Sequence, residues 1–404
     1  MTKFAEALNA ETKLTTTTNG AVALNTTDSH VLDLFAQGGA MREWDKSSII
    51  STFVKAFAED ALLTMKCLFY IRNIRGGLGE RRTFRTGLRY LATVHPEVIR
   101  KNIACIPLFG RWDDMYTLIG TKVEKEMWDF VRANWIADLA ALEEGKSISL
   151  MAKWLASADA SSKETIRNAK ATAKALGLSQ KQYRQTLSKL RKKLNLVERH
   201  LCEGTVSEIN YSAVPSRAAA IYRNAFMRKD GARYSEFINK VKAGEATINA
   251  STLYPYDILE KMCKGRGFST YTIVYDEVLE QLWKSLPDYV DIEKTKDVLI
   301  MADTSGSMTG RPMATSIGLA VYFAERNKGI FRNQFMTFSS RPKLVTISGD
   351  TLYEKLKCIE EIIENTNLEA ALQLVLDIAI DYKLDQSEMP KSIVIITDMQ
   401  FDAA

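Results

Sequence analysis

Histidine is nearly missing from this chain, with three residues (His30, His95, His200), and proline is scarce, with eight in 404. So few imidazoles leave little material for histidine-based acid–base or nucleophilic catalysis. Scarce proline favours long helices over a succession of short strands and turns. The five cysteines (Cys67, Cys105, Cys202, Cys263, Cys358) are odd in number, widely spaced and without a C-x-x-C pair. They argue against a disulfide framework or a zinc site and point to a reducing, cytoplasmic setting. No apolar run approaches the ~18–20 residues of a membrane span. The opening Met1-Thr2-Lys3-Phe4-Ala5-Glu6-Ala7 lacks the apolar core of a secretory signal. No membrane partner is expected.

What is present is ordinary in bulk, 46% hydrophobic and 25% charged, and long enough for two or three domains with real cores. The net charge of +5 hides a segregation. Met151–Lys240 carries 18 Lys and Arg against 7 Asp and Glu, whereas Ser285–Ala404 carries 12 against 18. A basic middle and an acidic end imply different partners, or contact with each other.

Three segments follow from the pattern. Residues 1–30 form a tail or a small hairpin, in which Asn19-Gly20 suits a two-residue type I′ turn. Residues 31–285 repeat apolar positions at three- and four-residue spacing, as in Ile50, Phe53, Val54, Phe57 and Ala61. Helices are expected over Glu124–Leu142, Ser149–Ala158, Lys163–Leu176, Gln182–Asn195 and Ser216–Phe226, with Pro96 and Pro107 at further helix starts. No clean period links them, so this is an irregular helical array. Residues 286–404 alternate between states: strands over Asp297–Ala302, Gln334–Phe338, Lys343–Ile347 and Ser392–Thr397, and helices over Pro312–Arg326, Leu352–Glu364 and Leu368–Tyr382. Such alternation predicts a doubly wound, Rossmann-like α/β sheet with ligands beyond the strands' C-terminal ends. The fold class is α plus α/β.

Asp303-Thr304-Ser305-Gly306-Ser307 follows the first of those strands and offers one carboxylate and two hydroxyls at alternate positions. These hard oxygen ligands suit Mg²⁺. Asp398, at the end of a later strand, and Thr366, in the loop Asn365-Thr366-Asn367, can complete the shell, leaving a coordination position for an acidic partner. The other reading of the loop is helix capping.

Asp-x-Ser-x-Ser after a strand, with a Thr loop and a later strand-end Asp, resembles the metal-ion-dependent adhesion site (MIDAS) of von Willebrand factor A domains. The resemblance implies Asp303, Ser305, Ser307, Thr366 and Asp398 as metal residues, although Asn367 stands where many relatives carry Asp. An A domain continues for two more strands and helices after this Asp, so the resemblance also implies a domain incomplete at its C-terminal end. Upstream, Asn19-Gly20-Ala21-Val22, Leu32-Asp33-Leu34-Phe35, Ile71–Arg81, Gly110-Arg111-Trp112-Asp113-Asp114, Val214–Ala218 and Tyr254-Pro255-Tyr256-Asp257 resemble an uncharacterised family of plants, fungi, bacteria and viruses. That family joins a helical region to an A domain. It is similar, more distantly, to the TROVE domain of the Ro ring proteins, whose HEAT-like helices bind RNA.

Two basic clusters are candidate nucleic-acid surfaces. Arg72, Arg75, Arg81, Arg82 and Arg85, with Arg89, surround a Gly-rich break, and helix spacing puts Arg81, Arg85 and Arg89 on one face. Lys181, Arg184, Lys189, Arg191, Lys192 and Lys193 form the densest run. Both are equally readable as solvated, salt-bridged faces. In Arg111-Trp112-Asp113-Asp114, Trp112 is expected to pack and Arg111 to pair with a carboxylate. Enzyme motifs are lacking: Gly145-Lys146-Ser147 has no earlier glycine for a P-loop, and Ser305 has no histidine partner motif. The expectation is a non-enzymatic RNA-binding or ribonucleoprotein scaffold with a Mg²⁺-dependent ligand site, the RNA single-stranded or small and structured. A protein-interaction module capturing an acidic residue at the metal is the alternative, and a metal-dependent hydrolase a third reading.

Overall fold

The computed structural model describes residues 14–17, 19–264, 272–290, 297–337, 341–359 and 366–402. It is mostly helical, with a small mixed sheet in the C-terminal part. Two compact units divide the chain: Thr26–Cys202, and Glu203–Ala404 together with the N-terminal segment up to Asn25.

The first unit runs α1 (His30–Gln37), α2 (Lys46–Glu59), α3 (Ala61–Arg72), α4 (Arg82–Val94), α5 (Pro96–Asn102), α6 (Cys105–Phe109), α7 (Glu124–Glu143), α8 (Met151–Trp154), α9 (Lys163–Ala175) and α10 (Gln180–Lys193), closing with α11 (Val197–Glu203). Starts are set by side chains that accept orphan backbone N–H groups: Ser29, Asp45, Asp60, Ser162 and Ser179. Ser179, with Gln182 bonding back to its N–H, starts α10 two residues before the expected Gln182. The inward faces form one apolar cluster that includes Leu34, Phe53, Leu68, Phe84, Leu88, Trp135 and Leu187. The helix expected over Ser149–Ala158 is a single turn, because Leu155 is extended. Pro107 lies inside α6 rather than at its start.

The second unit includes an antiparallel hairpin of β1 (Leu14–Thr16) and β2 (Val22–Leu24). Its connection is longer than the expected two-residue turn. Thr17 N donates to Ala21 O at 2.8 Å and Gly20 takes a φ of +94°, so residues 17–21 separate the two strands. Next come α12 (Ser216–Lys242), α13 (Pro255–Met262), the two-residue strands β3 (Cys263–Lys264) and β4 (Thr272–Ile273), and α14 (Glu277–Lys284). α12 runs far beyond the expected Phe226, kinking at Asp230 (φ −150°, ψ 44°). The Asp230 carboxylate accepts from Tyr211 Oη and Arg233 Nε, which braces the kink.

The α/β part comprises β5 (Val298–Ala302), α15 (Arg311–Arg326), β6 (Gln334–Thr337), β7 (Lys343–Thr346), α16 (Leu352–Lys357), α17 (Leu368–Asp381) and β8 (Ser392–Ile396). The strand order is β7-β6-β5-β8, with β5 parallel to β6 and β8 and β7 antiparallel to β6. The sheet is therefore mixed. β5 is buried along its whole length, as a central strand should be. Among the described residues β8 lies at the edge, with Val394 and Ile395 exposed. The adjoining α17 leaves Leu372, Leu376 and Ile380 exposed on one stripe. Phe338 and residues 360–364, included in the expected strand and helix, lie outside the described residues, as do residues 1–13 of the expected tail.

The boundary expected at 285/286 falls inside this unit, because the two helices before it pack on elements after it. α13 crosses α15 so closely that a Cβ at Gly318 would stand 3.1 Å from Pro255 Cβ. Glu280 of α14 accepts Leu352 N at 2.8 Å and Tyr353 N at 2.9 Å, capping α16. Trp283 Nε1 donates to Glu325 at 2.9 Å. Among the described residues no helix is long and apolar enough to cross a membrane.

Candidate functional site

β5 delivers Asp303, fully buried, at its C-terminal end. The neighbouring strand holds it: Asp303 N donates to Ile396 O at 2.9 Å, and Thr397 Oγ1, one residue on, donates to Asp303 Oδ2 at 2.6 Å. Ser305 N donates to Asp303 Oδ1 at 2.9 Å. Each carboxylate oxygen thus accepts one bond and keeps lone-pair capacity free. The Ser305 and Ser307 hydroxyls lie 3.0 Å apart, Ser305 buried and Ser307 exposed on a short 3-10 turn.

Asp398 directly follows the threonine that orients Asp303; it is half-buried, with Oδ1 accepting Gln400 N at 3.1 Å. Thr366 is tied to the same segment from the other side: its N donates to Asp402 Oδ2, and Asp402 N donates back to Thr366 O, each at 3.1 Å. The N-terminal hairpin braces that segment, with Thr17 Oγ1 on Phe401 O at 2.6 Å and Asn19 Nδ2 on Gln400 O at 2.8 Å. Thr366 Oγ1 is buried with no hydrogen-bond partner among the described residues. A buried orphan hydroxyl costs ~1–3 kcal/mol, which a ligand to it would offset.

Asp303, Ser305 and Ser307 are therefore joined directly by hydrogen bonds. Asp398 and Thr366 connect to them through Thr397 and the 400–402 segment. Thr397 and Asp402 are contributors that motif spacing did not reveal. The TD pair closing a β-branched run was the available signal for Thr397. Among the described residues, no group of three or more His, Cys, Asp and Glu side chains gathers to hold a metal. A cation at Asp303 would be held by hydroxyls and at most two carboxylates, a donor set that fits Mg²⁺ and not zinc.

The arginine cluster behaves differently from its charge count. Arg72 is 2% exposed, with Nε on Asp114 Oδ2 at 2.7 Å. Arg85 Nε takes the other Asp114 oxygen at 2.7 Å, and its Nη2 takes Asp113 at 2.8 Å. Those carboxylates raise the Arg85 pKa against the opposing effect of burial, the largest influence on it. Burial removes Arg72 from the nucleic-acid surface, and Arg85, half-buried, has its Nε and Nη2 already on carboxylates. Arg89 bonds the carbonyls of Thr117 and Ile119, which removes the expected Arg81–Arg85–Arg89 face. Arg75 and Arg82 are exposed yet bond Leu108 O and Arg42 O, while Arg81 is exposed. Trp112 stacks on Phe130 as expected of a packing residue. The Arg111 guanidinium sits 4.2 Å over the Trp154 ring rather than on a carboxylate.

In the second run, Arg191 is also internal, bonding Ala152 O, Leu155 O and Ser157 Oγ. Burial depresses its pKa. Lys181, Arg184, Lys189, Lys192 and Lys193 are exposed along α10. Arg184 approaches Asp159 at 3.6 Å, and Lys193 Nζ donates to Gly145 O at 2.6 Å. Beside them, α9 exposes Lys163, Arg167, Lys170 and Lys174, which sequence analysis passed over. Their i, i+4, i+7, i+11 spacing was the signal.

Sequence comparison divides the chain near residue 296, close to the change of pattern at 285/286 and not at the 202/203 division of the compact units. A family model described as "Domain of unknown function (DUF2828)" matches residues 17–147 and 133–295, and one described as "Domain of unknown function (DUF7788)" matches residues 297–404. The chain is 28% identical over 427 aligned positions to "Uncharacterized protein L728" of Acanthamoeba polyphaga mimivirus, covering 96% of this chain and 73% of that protein. No solved structure matches. The chain belongs to the DUF2828 family, which spans most of its length.

Proposed function

We propose that this member of an uncharacterised family is a non-enzymatic RNA-binding scaffold whose C-terminal part is a von Willebrand A-like domain with a Mg²⁺-dependent ligand site. The observation that carries the RNA reading is the row of exposed cations on α10, of which Lys181, Lys189 and Lys192 form no ion pair among the described residues. Uncompensated cations of this kind are what a phosphate backbone neutralises. HEAT-like, TROVE-like packing of the helical part is consistent with its capped helices and the continuous core of its first unit.

In the A-like part, Asp303, Ser305, Ser307, Thr366 and Asp398 would hold the cation, with Thr397 fixing Asp303. Bound Mg²⁺ supplies a coordination position for a carboxylate. The Ser305 hydroxyl bonds the Ser307 hydroxyl, and it is the Ser305 backbone N–H that bonds the Asp303 carboxylate, an arrangement that supports ligand capture over activation of a serine nucleophile. A second reading, capture of an acidic protein residue without RNA, is favoured by the exposure of Ser307 beside the buried Asp303.

The test is binding of a labelled RNA across a salt series, with Mg²⁺ and with EDTA. Steeply salt-dependent binding that survives EDTA is expected, and Asp303→Ala should leave it within about twofold. Failure to bind at low salt would leave the protein-capture reading in its place.

A further inference from the structure

α9 and α10 form a helical hairpin joined by residues 176–179, in which Gly177 takes a φ of +70° and Ser179 caps the second helix. Ala169, Thr172 and Ala173 of α9 and Tyr183, Leu187 and Leu190 of α10 are buried. The opposite faces carry Lys163, Arg167, Lys170 and Lys174 on the first helix and Lys181, Arg184, Lys189 and Lys192 on the second, all exposed. Lys163 to Lys174 spans ~16 Å at ~1.5 Å per residue.

We propose that this outer face is a docking surface for double-stranded RNA, gripping the phosphate backbone without reading bases. The inference rests on the RNA-binding reading and narrows it from RNA in general to the duplex. Three observations carry it. Among the described residues, none of Lys163, Arg167, Lys170, Lys174, Lys181, Lys189 and Lys192 forms an ion pair, so seven cations repel one another until a polyanion arrives. Acidic neighbours are few: Glu164 on α9, and Asp159, which is engaged by Arg184. The face also offers no ring to stack on. Tyr183, the aromatic residue of this hairpin, is 1% exposed with its hydroxyl donating to Ala156 O at 2.8 Å. Single strands are held by aromatic platforms as well as charge, whereas A-form duplexes are recognised by shape and backbone contacts. Cations without rings match the duplex.

The experiment is fluorescence anisotropy of the full chain with two 20-base-pair RNA duplexes of unrelated sequence and a 20-nucleotide oligouridine, across a salt series. Both duplexes should bind alike and more tightly than the single strand. The Lys163→Gln/Arg167→Gln/Lys170→Gln/Lys174→Gln variant should weaken duplex binding at least tenfold and flatten the log–log salt slope by about 3.6, since each of the four lost phosphate contacts removes ~0.9. Lys181→Gln/Lys189→Gln/Lys192→Gln on the second helix should act in the same direction, and circular dichroism confirms that both variants fold. Wild-type duplex binding with unchanged slopes in both variants would overturn the placement and leave RNA binding standing. Preference for oligouridine would overturn the duplex assignment. Binding of neither RNA by the wild type would overturn this proposal and the RNA reading together.

Discussion

Asp303 shows how one residue is prepared by others distant in sequence. Its Oδ2 is held by Thr397, 94 positions away, across the β5–β8 pair. Thr397→Val keeps the volume and removes the hydroxyl, so the carboxylate loses its orientation. Mg²⁺ affinity is expected to fall by about 10–100-fold with far-ultraviolet circular dichroism unchanged, read by calorimetric titration. Unchanged affinity would show that the bond does not serve a cation. Asp303, Ser305 and Ser307 were legible in the sequence because five consecutive residues after an apolar strand carry the whole pattern. Thr397 was not, since its role depends on which strand lies beside β5. Arg72 and Arg85 misled for the converse reason. Their charge is visible locally, but Asp114, which bonds both, lies 42 and 29 residues on.

At the scale of elements, Glu280 is a helix cap supplied from outside the helix it caps. Burial, the largest influence, pushes its carboxyl above the ordinary 4.5, with the two backbone N–H bonds of α16 opposing it. The folded chain therefore keeps this proton at pH values where the unfolded chain has lost it. The Glu280 contribution is full below 4.5 and declines as pH rises through the window above it. Urea midpoints measured from about pH 4 to about pH 8 should fall less steeply for Glu280→Gln than for the wild type. An identical slope would place the pH sensitivity elsewhere. Helices such as α7, α9 and α17 were legible to within a residue, because their apolar spacing is long and, in α9 and α17, the caps Ser162 and Asn367 are local. α12 was half-read: Asp230-Gly231 looks like a terminus, whereas Tyr211 and Arg233 hold the Asp230 carboxylate and the helix resumes.

Over the whole molecule, texture and packing draw different lines. The change from helical to alternating pattern near residue 286 is real, yet the compact units divide at 202/203, because α13 and α14 spend their apolar faces on α15 and α16. The basic window Met151–Lys240 likewise straddles that division. The exposed strand β8 has a consequence for how the protein behaves in a tube. Ser392–Ile396 carries no charge and no proline, the devices that keep a strand edge from recruiting another backbone, and its β-branched residues match the profile of aggregation-prone segments. Its colloidal limit should then be set by backbone capture rather than by net charge: light scattering that climbs with protein concentration, is little changed by salt, and is suppressed by Val394→Lys. For such a chain, shelf life is a property of one edge.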